Sequence, residues 1–187
     1  MSIKPYRFYI FLIFSILLSF GCQDKKPDRP EDAPFGNRKS PIAISTIKYE
    51  NTYIKVVYGQ PYRNGRTIFG EWEPYGKVWR TGANEATEIT VTEPVLMNME
   101  VIDAGTYSMF TIPNKDSWTI ILNNAVGQWG AFDYNKQLDA FRFEVPVIKT
   151  ETPQEAFTIE FSDLQGSATV MSIAWDVVKV EIPIRFY

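Results

Sequence analysis

Asn51-Thr-Tyr-Ile-Lys-Val-Val-Tyr58 sets Tyr53, Lys55 and Val57 against Ile54, Val56 and Tyr58, residue by residue. Successive side chains of an extended chain point to opposite faces, so this period of two, rich in β-branched and aromatic residues, predicts a strand. The same period recurs at Glu88 to Thr92, Thr106 to Ile112, Trp118 to Leu122, Phe141 to Val147, Ala156 to Phe161, Ala168 to Trp175 and Val177 to Ile184. Turn-forming clusters punctuate the series: Arg63-Asn64-Gly65, Asp103-Ala104-Gly105, Pro113-Asn114-Lys115-Asp116 and Asp163-Leu164-Gln165-Gly166. No stretch keeps a helical period of apolar residues. Strands at this spacing without helices between them predict an all-β, antiparallel, sandwich-like single domain. Pro146 and Pro183 donate nothing to a ladder, so their strands are expected to lie on edges, or to bend or end there.

Working back toward the start, residues 22–39 form a stretch rich in Lys, Asp, Pro and Gly, with Pro27, Pro30 and Pro34 opposing regular structure. This reads as a flexible tether in front of a domain at 40–187. Ahead of it, Lys4 and Arg7 precede an apolar run from Phe8 to Phe20 that ends in Gly21-Cys22. Residues 1–21 therefore read as a lipoprotein signal peptide: the run is long enough for a signal core, short for a membrane span, and followed by a small residue and a thiol. Cys22, the one cysteine of the 187 residues, is the expected lipidation site and membrane anchor. Ser19 stands three places before it, where Leu is usual, so an uncleaved anchor or a plain secretory signal stays open. Gln23 in place of Asp favours the outer membrane, which puts the expected location in the bacterial cell envelope.

Loss of Lys4 and Arg7 with the signal peptide takes the formal net charge from −3 to −5. An acidic surface without a basic patch argues against a nucleic-acid partner. The chain holds no histidine, which excludes a Ser-His-Asp triad, an imidazole base and the usual zinc sites. With Cys22 given to lipid, no thiol nucleophile and no disulfide is expected. Gly70-Glu-Trp-Glu-Pro-Tyr-Gly76-Lys77 fails as a phosphate loop, having five residues between its glycines and Val78 where Ser or Thr is needed. No cofactor and no metal is expected.

Two segments interrupt the strand rhythm. Gly70 to Thr87 is crowded with Gly, Pro, Trp and charge, and Asn123 to Lys136 carries Trp129, Phe132 and Tyr134 among Asn, Gly and Gln. Long aromatic-rich connections on a sandwich are natural binding surfaces. Arg80, Asn84 and Glu85, with Trp79 beside them and Trp129 in the second segment, are the candidate ligand-binding residues: a planar cation, an amide and a carboxylate for polar groups, and indoles for stacking. The structural alternative pairs Arg80 with Glu85 and has Asn84 cap a turn. For Trp79, after apolar Val78, core packing is the alternative. Glu71 and Glu73, two apart, would face one side of an extended segment, the start of a paired-carboxylate hydrolase.

Ile68-Phe-Gly-Glu-Trp-Glu-Pro-Tyr-Gly-Lys-Val-Trp-Arg-Thr-Gly-Ala-Asn-Glu-Ala-Thr87 resembles a motif of the bacterial family called domain of unknown function 2911. Ala104-Gly-Thr-Tyr-Ser-Met-Phe-Thr-Ile-Pro113 resembles its second motif, and Trp118-Thr-Ile-Ile-Leu-Asn123 with Gln128-Trp-Gly-Ala131 its third. The likeness runs from about Ser40 to the C-terminus. It implies secreted or lipidated bacterial proteins of β architecture and no activity. Where the family tends to carry an Asn-Gly turn this chain has Asn98-Met99, so the hairpin there is expected to be longer or differently shaped. The whole reads as a non-catalytic binding module for a small molecule, a glycan or an envelope partner. A histidine-free hydrolase and a purely structural envelope component are the alternatives.

Overall fold

A computed structural model of the chain describes residues 38–187. Cys22 and the expected signal peptide and tether, up to residue 37, lie outside the described residues. Nine strands follow among the described residues: β1 (Ile42–Tyr49), β2 (Thr52–Gly59), β3 (Thr87–Val91), β4 (Val95–Met97), β5 (Glu100–Ile102), β6 (Gly105–Pro113), β7 (Ser117–Asn123), β8 (Asp139–Phe161) and β9 (Ala168–Phe186). All neighbours are antiparallel, in the spatial order β1-β2-β3-β6-β7-β8-β9-β4-β5. The described residues contain no α-helix, and the expected all-β class holds.

The sheet curls until its two halves pack face to face. Four strand spacings separate β2 from β8, about 19 Å in a flat sheet, yet the rings of Tyr58 and Phe157 meet edge to face at 5.5 Å. Tyr49 of β1 likewise stacks on Phe186 of β9 at 5.3 Å. Between the halves lies one core built from the inward set of each strand, among them Ile54, Val56, Met109, Trp118, Ile120, Phe157, Ile173 and Trp175. The strand faces read from Asn51 to Tyr58 are those observed: Ile54, Val56 and Tyr58 are buried and Tyr53, Lys55 and Val57 only partly so.

The prolines mark the places where strands exchange partners. Neither β8 nor β9 is an edge strand. Pro146 is the last residue of β8 paired with β7, and Val147 is the first paired with β9. Pro183 falls between Val180, paired with β8, and Ile184, paired with β4. A missing N–H is tolerated where the ladder changes sides.

Two further points correct the strand reading. The runs on either side of Thr150 belong to one strand, β8, and those on either side of Asp176 to another, β9. In β9 the odd-numbered residues Met171, Ile173 and Trp175 are buried before Asp176, and the even-numbered Val180, Ile182 and Ile184 after it. Asp176, at φ 53, lies where this alternation changes phase, opposite Gln154, and the register shifts on either side of that pair because β8 carries the extra residues there. The β4–β5 hairpin has the ordinary two-residue turn after all, with Met97 opposite Glu100 and both Asn98 (φ 45) and Met99 (φ 71) left-handed, a type I′ geometry.

Candidate functional site

The chain leaving β2 reaches the site through a tight turn in which the N–H groups of Trp72 and Glu73 both donate to the carbonyl of Ile68. Glu71 and Glu73 therefore do not share one side of an extended segment. Phe69 drives this turn into the core, edge to face with Trp118 at 4.8 Å. Trp79 then pairs antiparallel with Thr111 of β6 and lies flat against Trp175 at 6.0 Å, only 3% exposed. Its indole Nε1 donates to the carbonyl of Gly82 at 3.2 Å. Trp79 is thus a core pin under the loop and offers no face to a ligand.

Residues Arg80 to Thr87 close on themselves. The N–H of Thr87 donates to the carbonyl of Arg80, its Oγ1 donates to the carbonyl of Thr81 at 2.6 Å, and the N–H of Ala83 donates to the carbonyl of Gly59. The close approach depends on Gly59, because a Cβ there would lie 2.0 Å from the carbonyl oxygen of Ala83. Thr81 (φ 56) and Asn84 (φ 64) take the left-handed turns that the path requires.

The second irregular segment folds over Phe110 and Ile121, a small apolar cluster apart from the main core, with Ala131 and Tyr134 packed against it. Asp139 ties the segment down at both ends. It accepts from Asn123 Nδ2 at 2.8 Å and from Tyr134 Oη at 2.8 Å, and it pairs with Arg142 at 3.0 Å. Burial, together with the Asp139 carboxylate, pushes the Tyr134 phenol above its ordinary range. The N–H of Gly127 donates to Glu88 Oε1 at 2.8 Å, which secures the segment's middle to β3.

The two segments meet. Glu85 and Trp129 form an antiparallel bridge, with the N–H of Gly130 donating to Asn84 and the N–H of Ala86 to Gln128, each at 2.9 Å. Asn84, Glu85 and Trp129 are all partly exposed at this junction. The expected pairing of Arg80 with Glu85 is replaced by another. Arg38 Nη1 donates to Glu85 Oε1 at 2.8 Å, and Arg38 Nη2 pairs with Glu85 Oε2. Burial alone would raise the Glu85 carboxyl; the hydrogen bond and charge of Arg38 outweigh it and hold the group below its ordinary value. Asn84 Nδ2 donates to the carbonyl of Ser40 at 3.5 Å.

Arg80 faces Glu73 instead. Burial lowers the Arg80 guanidinium and the Glu73 charge partly restores it, while burial pushes Glu73 up to about 7 against the pull of Arg80. No carboxylate among the described residues lies within ion-pair distance of Arg80, and its buried Nε has no hydrogen-bond partner there. Arg38 escaped the sequence reading because 47 residues separate it from Glu85 and it sits at the end of a tether-like stretch. No group of three or more metal-ligating side chains occurs among the described residues.

Residues 40–184 match the model of a family described as protein of unknown function (DUF2911). No curated protein and no solved structure matches the chain.

Proposed function

This chain belongs to the DUF2911 family, and we propose that it is a lipid-anchored, non-catalytic binding module of the bacterial cell envelope. Its ligand is a small molecule, a glycan or an envelope partner that meets the surface where the two irregular segments join. The bridge between Glu85 and Trp129 is the observation that carries this reading. It brings an amide, a carboxylate and an indole from distant parts of the sequence to one half-exposed place, held by backbone hydrogen bonds, so recognition needs little reordering.

A thermal-shift screen of the full chain against envelope glycans and small metabolites tests the proposal, since a ligand of the folded state raises the melting temperature. Trp129→Ala and Glu85→Gln are expected to abolish the shift of any hit while retaining the unliganded melting temperature within a few degrees. Hits that shift these variants as much as the parent would refute the site. The anchor has its own test: Cys22→Ser is expected to release the protein from the membrane fraction, and continued retention would remove the lipid from the proposal.

Hydrolysis through carboxylates is favoured by one observation, the Glu73 carboxyl that keeps its proton close to neutrality, as a general acid must. Release of a chromogenic aglycone from aryl glycosides, lost in Glu73→Gln, would establish it over simple binding.

A further inference from the structure

Far from that junction in strand order, where β9 runs beside β4, the surface opens into a groove of about 420 Å³. Its walls are the β8–β9 turn on one side and the β4–β5 hairpin with the end of β9 on the other. The two sides are drawn together because β9 bends so far that the N–H of Phe186 donates to the carbonyl of Ser167 at 2.8 Å. Leu96, Met99, Val170 and Pro183 supply an apolar lining, and Arg185 and Gln165 add polar groups to it.

Three features set this groove apart from ordinary surface. The hydroxyls within it are consumed by the protein: Thr169 Oγ1 donates to the carbonyl of Ser162 at 2.8 Å, and Ser162 Oγ accepts from the N–H of Val170 at 3.0 Å. Arg185 stands directly opposite Leu96, and no carboxylate among the described residues lies within ion-pair distance of it. Its charge therefore sits beside an apolar lining residue without a counter-ion from the described fold. Met99, finally, occupies the second position of a type I′ turn, which glycine fills most readily, at φ 71 and 85% exposed. The backbone is held in a conformation unfavourable to a side chain, and what it gains is a flexible thioether on the groove. Strain kept in this way points to use, and methionine is the apolar side chain that adapts best to varied surfaces.

We propose that this groove binds a free amphiphilic monocarboxylate, such as a medium-chain fatty acid, with its carboxylate on Arg185 and its hydrocarbon tail over Leu96, Val170 and Met99. The volume falls in the range of small-molecule sites, and one guanidinium without a counter-ion among the described residues, beside an apolar lining, matches one anionic head on one apolar tail. This goes beyond the junction of Glu85 and Trp129 and stands whether or not that surface binds anything.

The test uses the full chain in lipid discs, with octanoate, octanol and octyltrimethylammonium as probes. Octanoate is expected to shift the methyl resonance of isotope-labelled Met99 saturably and to raise the melting temperature. Octanol, lacking the charge, should bind about tenfold more weakly, as the loss of a charge-assisted hydrogen bond implies. Arg185→Gln should bring octanoate down to the level of octanol. Met99→Gly should separate stability from binding, with a higher melting temperature without ligand and a weaker response to octanoate. Equal binding of the ammonium probe, unchanged octanoate affinity in Arg185→Gln, or an unchanged octanoate response in Met99→Gly would each overturn the proposal. A Met99 resonance that moves only with the lipid composition of the discs would overturn it in favour of a membrane contact.

Discussion

Asp176 and Arg63 form an ion pair, Oδ1 to Nε at 2.8 Å, at the point where β9 changes the face it turns to the core. The Asp176 side chain is almost wholly buried, and its other oxygen accepts from the N–H of Ile68 at 3.2 Å. One side chain thus fixes the bend of β9, the turn after β2 and the start of the segment that leads to Trp79.

Replacing that aspartate should separate charge from conformation. Asp176→Asn keeps a residue that tolerates the left-handed backbone but loses the ion pair. Asp176→Val loses the pair and places a β-branched residue at φ 53. Removing one partner of a buried pair costs about 3–5 kcal/mol, and partial exposure of Arg63 moves the expectation for Asn to the lower end. Denaturant unfolding should show Val as the more damaging change. Equal midpoints for the two variants would mean that the backbone conformation at this corner costs nothing.

Gly59→Ala should disturb the site from a distance. The added methyl meets the carbonyl oxygen of Ala83 at 2.0 Å, a backbone atom that cannot rotate away. Overpacking of this kind costs about 1–3 kcal/mol. Hydrogen exchange of the Ala83 and Thr87 amides should accelerate selectively, whereas retained protection there would show that β2 moves instead of the loop.

Glu73 gives stability a pH dependence of definite sign. Its carboxyl is raised from 4.5 to about 7 in the folded protein, so the fold holds a proton that the unfolded chain releases. The contribution is complete at pH below 4.5 and is lost as pH climbs toward 7. Solvent screening at this half-buried group reduces the effect to a few degrees in melting temperature. Melting curves of the parent and E73Q should therefore diverge as pH rises from 4.5 to 7, with E73Q the more stable. Parallel curves would show an ordinary Glu73.

The two tryptophans of the candidate site should behave oppositely. Trp79→Ala removes a ring packed between Phe69, Trp118, Phe157 and Trp175 and should cost about 3–5 kcal/mol. Trp129→Ala should cost about 1 kcal/mol or less, as expected of a partly exposed side chain whose backbone does the bridging. Comparable losses in urea titrations would make Trp129 a second structural pin and leave the junction without a stacking surface.

The sequence by itself determined which face of each long strand is buried, since a period of two assigns faces without reference to partners; Ile54, Val56 and Tyr58 show it. It also determined the turns at Arg63–Gly65, Pro113–Asp116 and Asp163–Gly166, whose residues prefer turn backbone wherever they stand. The absence of histidine removed whole classes of chemistry before any fold was known. Only the tertiary structure decided who meets whom. Glu85 takes Arg38 and leaves Arg80 to Glu73, Trp79 turns inward while Trp129 stays at the surface, and Ile68 bonds to Asp176 across 108 residues. Those choices are set by the curl of the sheet, which brings β2 against β8 and bends β9 back on itself. Local patterns carry the direction of a side chain, but the distance between two side chains depends on every strand that lies between them.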